Sequence, residues 1–156
     1  MMEKEEALFI ETAEREHIEM YLKAIWMLNE RGEEAKVSII ARVLNIKQPS
    51  VVQMLRKLHR RGYVMYSNGK AELTDKGNEI GRQMVRNSRL LEVLMKNALR
   101  IDLDEEMVCG MEHHMSKRFA DAICTLLNHP RICPHGYAIP EGACCKNNRL
   151  TESGQL

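Results

Sequence analysis

Residues 38–62 read SIIARVLNIKQPSVVQMLRKLHRRG, and the spacing of apolar and basic residues in this stretch decides the fold. Ser38 is placed to cap a short helix through Ile39, Ile40, Ala41, Val43 and Leu44, and Asn45-Ile46-Lys47 then makes a turn. Gln48-Pro49-Ser50 opens a second, longer helix, with Pro49 in the first turn where its missing N–H leaves nothing unpaired. Val51, Met54, Leu55 and Leu58 recur at helical spacing as an inward stripe, and Gly62 ends the helix. The other face carries Ser50, Gln53, Arg56, Lys57 and Arg60, side chains able to hydrogen-bond base edges and phosphates from a major groove.

Downstream, Tyr63-Val64-Met65-Tyr66 and Ala71-Glu72-Leu73-Thr74 flank Ser67-Asn68-Gly69-Lys70, two short strands around an Asn-Gly hairpin. Helix, turn, helix and hairpin together make a winged helix, with Lys70 at the wing tip placed for a phosphate. Ser38, Lys47, Gln48 and Pro49 complete the candidate DNA contacts. Charge supports this reading. The chain has 23 Lys and Arg against 22 Asp and Glu, a net +1, but the first 34 residues are acidic. From Ala35 to Ala71 the basic residues Lys36, Arg42, Lys47, Arg56, Lys57, Arg60, Arg61 and Lys70 occur without one acid. A solvated helix surface is the plainer explanation, and helix-turn-helix geometry also occurs in proteins that never touch DNA. An acid-free stretch nevertheless concentrates positive potential, for which phosphate backbones are the commonest partner.

Thr74-Asp75-Lys76-Gly77 opens a long helical pattern through Ile80, Met84, Val85, Leu90, Leu91 and Leu94, ending near Ala98. A break at residues 100–104 leads into a helix with Cys109-Gly110-Met111-Glu112-His113-His114. There a thiol, a carboxylate and an imidazole stand at i, i+3 and i+4, about 5 to 6 Å apart on one helix face, close enough for one ion. The alternative is an amphipathic helix with a buried cysteine and two solvated histidines. The apolar faces between Asp75 and His129 exceed what a small winged helix covers, so a homodimer is expected, and palindromic operators follow from its symmetry.

The 156 residues, 44% hydrophobic, suffice for one or two small domains with a real core. Neither an 18-residue apolar run nor a secretory leader is visible, so no membrane partner is expected and the cytoplasm is the expected compartment. Five cysteines, an odd count, suit thiols or metal ligands better than a disulfide framework. Eleven methionines beside one Trp, four Tyr and two Phe suggest a helical, adaptable core.

Three signatures in order, Glu19 to Trp26 (EMYLKAIW), Pro49 to Gln53 (PSVVQ) and Cys109 to His114 (CGMEHH), resemble the diphtheria toxin repressor/manganese transport regulator family of metal-dependent transcriptional repressors. The resemblance covers about Thr12 to Pro140. It implies a mainly α fold, an N-terminal winged helix-turn-helix followed by a helical dimerisation domain. The expected boundaries are residues 1–74 for DNA binding, 75–140 for metal binding and dimerisation, and 141–156 for a cysteine-containing, flexible tail. Larger members continue into a small β-domain, and this chain resembles a short form without it.

The resemblance assigns the regulatory metal to Met20, Cys109, Glu112 and His113. One thioether, one thiolate, one carboxylate and one imidazole are a borderline-soft set suiting iron(II), cobalt, nickel or zinc better than manganese, which prefers oxygen ligands. Manganese-tuned members carry acids where this chain has Met20, Lys23 and Cys109, so it resembles the iron-responsive branch. Met20 also has a plainer role, in a greasy helix face with Ala24 and Met27. At the family's ancillary site the chain departs from the pattern. Glu92 matches a carboxylate ligand, but Ser88 replaces the usual histidine, and a shortened segment between Leu103 and Cys109 removes another. His114, His17 or Glu16 would have to substitute.

Toward the C-terminus, Cys124, Cys133, His135, Cys144 and Cys145 form a further pool of donors for zinc or an iron–sulfur cluster, against free thiols in a mobile tail. Their spacing is irregular, with no Cys-x-x-Cys pair. A redox-sensing or cluster-sensing regulator built on these thiols is the rival within the same fold. A metalloenzyme is not expected, since no His-Glu-x-x-His pattern occurs and nothing else assembles acid, base and nucleophile on a small organic substrate.

Overall fold

A computed structural model of the chain describes residues 2–146 and divides it into two compact units between Arg82 and Gln83. The first contains α1 (Met2–Glu30), α2 (Val37–Leu44), α3 (Gln48–Arg60), β1 (Val64–Ser67), β2 (Lys70–Leu73) and the start of α4 (Asp75–Val93). Its core joins Tyr21, Leu22, Ile25 and Leu28 of α1 to Ile40, Val51, Leu55, Leu58 and Val64. The inward stripe expected for α3 is buried at all four positions, while Ser50, Gln53, Arg56 and Arg60 stay exposed.

Asn45, at φ 53°, closes α2, and Ile46 N donates to Ala41 O at 2.9 Å. The left-handed residue that reverses the chain between α2 and α3 is thus an Asn, one of the few non-glycine types that tolerate it. The start of α2 differs from expectation. Lys36, not Ser38, is its N-cap, without a side-chain cap, and Ser38 lies exposed in the first turn. The cause is non-local. Lys36 forms an isolated antiparallel bridge with Lys70, and Val37 N donates to Gly69 O at 3.0 Å, so the helix begins where this pairing to the wing ends. The hairpin is tighter than its sequence suggests. Val64 pairs with Leu73 and Ser67 with Lys70 around Asn68 (φ 49°) and Gly69 (φ 71°), the two positive φ values of a type I′ turn.

α4 begins against the first unit. Thr74 Oγ1 donates to Gly62 O at 2.6 Å and accepts from Gly77 N at 3.2 Å. A Cβ on Gly77 would overlap the Tyr63 carbonyl oxygen, and one on Gly81 would lie 2.6 Å from Leu22 O. These close backbone approaches draw the first turns of α4 against the first compact unit, which runs through Arg82. Gly77→Ala is expected to destabilise this unit by about 1–3 kcal/mol through overpacking. Thermal unfolding beside the unaltered chain will show a lower midpoint, and an unchanged midpoint would refute the close approach.

In the second unit α4 runs into a π-helical extension, Leu94–Leu99, closed by Arg100 at φ 54°. α5 (Glu105–Glu112) and α6 (Lys117–Leu126) follow. Leu90, Leu91, Val93, Met95, Val108, Ala120, Ile123 and Cys124 form its core. The described part of the expected tail has regular structure. Residues 143–146 make one helical turn, and Cys144 Sγ donates to Asp121 Oδ1 at 3.3 Å. Residues 147–156 of the expected tail lie outside the described residues. Among the described residues no helix is long and apolar enough to cross a membrane.

Candidate metal centre and DNA-facing surface

α5 is short because its ends are fixed. Asp104 caps it, accepting from Met107 N at 2.9 Å, Glu105 and Glu106 complement the N-terminal dipole, and His113 is the C-cap. Within little more than one turn the helix brings Cys109, Glu112 and His113 together, with one donor atom from each within 4.8 Å of the others. Cys109 is exposed, Glu112 only 1% exposed, and His113 Nε2 lies 3.7 Å from Glu112 Oε1. Asn87 of α4, fully buried, donates through Nδ2 to Glu112 O at 2.9 Å and Met115 O at 3.3 Å. It fixes the C-terminal end of α5, where two of the three donors sit. The sequence reading missed Asn87, although an amide inside an apolar helical stripe is a signal for a buried polar contact. His114 is exposed and outside this grouping. Met20, half-buried on α1, packs against the first unit's core.

The pooled C-terminal donors separate into two further groupings. Glu92, Cys133 and His135 form one, with His135 Nδ1 3.1 Å from Glu92 Oε2. Their loop is held by Arg89, which donates to Ala138 O at 2.6 Å, and Arg86, which donates to Pro140 O at 3.0 Å. Ser88, in place of the family's histidine, donates to Val85 O of its own helix at 3.2 Å. Cys124, Cys144 and Cys145 form the other grouping, joined by His129, which the sequence reading had not included. Burial, helped by Asp121, pushes the Cys144 thiol up to about 12. Burial also raises Cys145, but the Gly142 backbone and His129 outweigh it and bring that thiol down to about 7.

On α3 the exposed set is Ser50, Gln53, Arg56 and Arg60, with Lys47, Gln48 and Pro49 exposed at its start. Lys57 is different. Together with Arg61 it pairs with Glu14 of α1, Arg61 Nη2 to Oε1 at 2.8 Å, and the hydrogen bond from Lys57, then the Arg61 charge, holds that carboxyl below its usual range. Lys70 pairs with Glu34, which also takes Lys36 Nζ at 3.0 Å. Two expected phosphate contacts thus already have acidic partners from outside the acid-free stretch.

A winged helix with a basic recognition face, joined to a helical unit that gathers a thiol, a carboxylate and an imidazole, defines a metal-responsive DNA-binding regulator. Residues 15–71 match the iron dependent repressor N-terminal DNA binding domain, and residues 74–141 match the iron dependent repressor metal binding and dimerisation domain. The HTH-type transcriptional regulator MntR of Shouchella clausii (strain KSM-K16) is 37% identical over 117 residues, 72% of this chain and 80% of that protein. The manganese regulator SloR superposes with a TM-score of 0.70 at 34% identity, over 80% of this chain and 60% of that one. A manganese-dependent transcriptional repressor solved with manganese gives 0.72 at 31%, over 80% and 58%. The chain thus spans about three fifths of these solved structures. It belongs to the diphtheria toxin repressor/manganese transport regulator family and is a metal-dependent transcriptional repressor, not an enzyme.

Proposed function

We propose that the chain is an iron(II)-responsive repressor of metal-homeostasis genes, acting in the cytoplasm as a homodimer on palindromic operator DNA. The observation that carries this reading is the convergence of Cys109, Glu112 and His113 within 4.8 Å. A thiolate and an imidazole beside a single carboxylate fit iron(II) better than manganese, which prefers oxygen donors. When bound, the ion supplies a positive centre that these side chains share.

The chain's own residues prepare that centre. Asn87 anchors the end of α5, the buried Glu112 carboxylate stands beside His113, and exposed Cys109 leaves the centre accessible. Binding energy spent on ordering the chain before it meets DNA appears as coupling, commonly about 1–3 kcal/mol or roughly 5- to 150-fold in DNA affinity. Met107, Met111, Phe119 and Leu126, exposed on α5 and α6, supply apolar surface for the dimer contact.

The metal reading is tested by anaerobic titration of the full chain with Fe(II) or Mn(II), read as anisotropy of DNA selected from a random pool. Fe(II) is expected to give half-maximal binding at the lower free concentration. Equal or reversed potency overturns the preference for iron. In the same assay Arg56→Ala and Gln53→Ala should each lose about 1–3 kcal/mol of specific binding, while binding to random DNA changes much less. Lys57→Ala should lose less, because Glu14 already engages that amine.

A further inference from the structure

The grouping of Cys124, His129, Cys144 and Cys145 stands apart from the Cys109 centre and has the dimensions of a coordination shell. Cys124 Sγ lies 3.6 Å from Cys145 Sγ and 3.6 Å from His129 Nδ1, and Cys144 Sγ lies 3.8 Å from Cys145 Sγ. All four donor atoms fall within 4.8 Å of one another. Around a tetrahedral zinc ion, with Zn–S about 2.3 Å and Zn–N about 2.0–2.1 Å, neighbouring sulfurs stand about 3.8 Å apart and sulfur and nitrogen about 3.6 Å. These three edges lie within about 0.2 Å of those two values.

The backbone is shaped to make this convergence. Asn128 and His129 both adopt positive φ, 58° and 53°, and His129 N donates to Cys124 O at 2.8 Å, folding the imidazole back over the end of α6. On the other side Gly142 brings the terminal turn down. A Cβ there would overlap Asp121 Oδ1 and Arg86 Nη2, so glycine lets the turn carrying Cys144 and Cys145 close without displacing that ion pair. Arg86 is 1% exposed, and its Nη2 lies 3.3 Å from Cys144 Sγ. Three thiolates and one imidazole around a divalent ion leave a net negative charge, and a buried guanidinium beside a sulfur is the partner that such a shell requires.

We propose that Cys124, His129, Cys144 and Cys145 form a closed tetrahedral zinc site that fastens the C-terminal turn to α6. On binding, each thiol releases its proton to solvent and no electron moves. Four protein donors leave no open position, which marks a structural rather than a catalytic zinc. The short donor separations fit one ion and not an iron–sulfur cluster, whose thiolates are spread around several metal atoms. This site is independent of the regulatory reading, because it shares no ligand with Cys109, Glu112 and His113.

The test uses the full chain purified without oxygen and dialysed against EDTA. Metal analysis is expected to find one zinc retained per chain in the unaltered protein and in Cys109→Ser, and none in Cys124→Ser or Cys145→Ser. Cobalt(II) in place of zinc should give intense thiolate-to-cobalt charge-transfer absorption that persists in Cys109→Ser, a readout that does not depend on how the tail variants fold. Absence of that absorption, with no zinc retained, overturns the proposal. So does a Cys124–Cys145 disulfide found by mass spectrometry in chain isolated anaerobically with zinc present. Failure of the iron titration, by contrast, would leave the zinc content unchanged.

Discussion

Cys109→Ala and His113→Ala are each expected to abolish metal stimulation of operator binding while leaving a folded dimer. The argument rests on burial. Cys109 is exposed, so truncating it opens no core cavity, whereas the His113 side chain is 6% exposed and its truncation also removes packing, which makes Cys109→Ala the cleaner of the two. Glu112 would be a poor first choice, since its carboxylate is 1% exposed and its loss would disturb the packing that Asn87 organises. A shell deprived of its thiolate or its imidazole keeps too few strong donors to hold an ion at working concentration. The coupling that it supports, roughly 5- to 150-fold in DNA affinity, should then collapse to no stimulation. Anisotropy with and without Fe(II) measures the loss, and circular dichroism with size-exclusion chromatography shows whether the dimer persists. Full stimulation in either variant would remove that residue from the ligand set.

The local parts of the fold were legible in the sequence for physical reasons. Val51, Met54, Leu55 and Leu58 repeat at helical spacing and are all buried, and Asn68-Gly69 carries the two positive φ values its turn demands. Cys109, Glu112 and His113 converge because one short helix places them. What was not legible depends on contacts between distant segments. The start of α2 is set by the bridge from Lys36 to Lys70, invisible in the sequence around Ser38. Glu14 and Glu34 come from the acidic N-terminal region to meet Lys57 and Lys70, so a charge count along the chain overstated the free cations of the DNA face. The C-terminal cysteines have no regular spacing because α6, the loop at Cys133 and the terminal turn at residues 143–146, not one helix, carry them. His129 joins them only through two consecutive left-handed residues, and nothing in a one-dimensional pattern marks those.

Asp121→Asn is expected to destabilise the second unit by about 3 kcal/mol, the lower end of the range for breaking a buried ion pair. Arg86 is 1% exposed, and its Nη2 sits 2.6 Å from Asp121 Oδ1. A guanidinium does not lose its proton in a protein, so without the carboxylate a full positive charge stays buried. With no metal bound, its remaining partners, Pro140 O at 3.0 Å and the Cys144 thiol at 3.3 Å, carry no full charge. The side chain of Asp121 is 26% exposed, and water can reach the space the charge leaves, which sets the effect at the lower end. A second variant separates charge from shape. Arg86→Met combined with Asp121→Asn removes both charges and should recover part of the loss, because a buried pair is worth little against apolar packing whereas half of one is costly. Recovery is partial, since Arg86 also holds the loop through Pro140. Urea unfolding of the three proteins, each first unfolded and refolded in EDTA so that no metal is bound, gives the comparison. A single variant within about 1 kcal/mol of the unaltered chain would show that Arg86 is held by its other contacts.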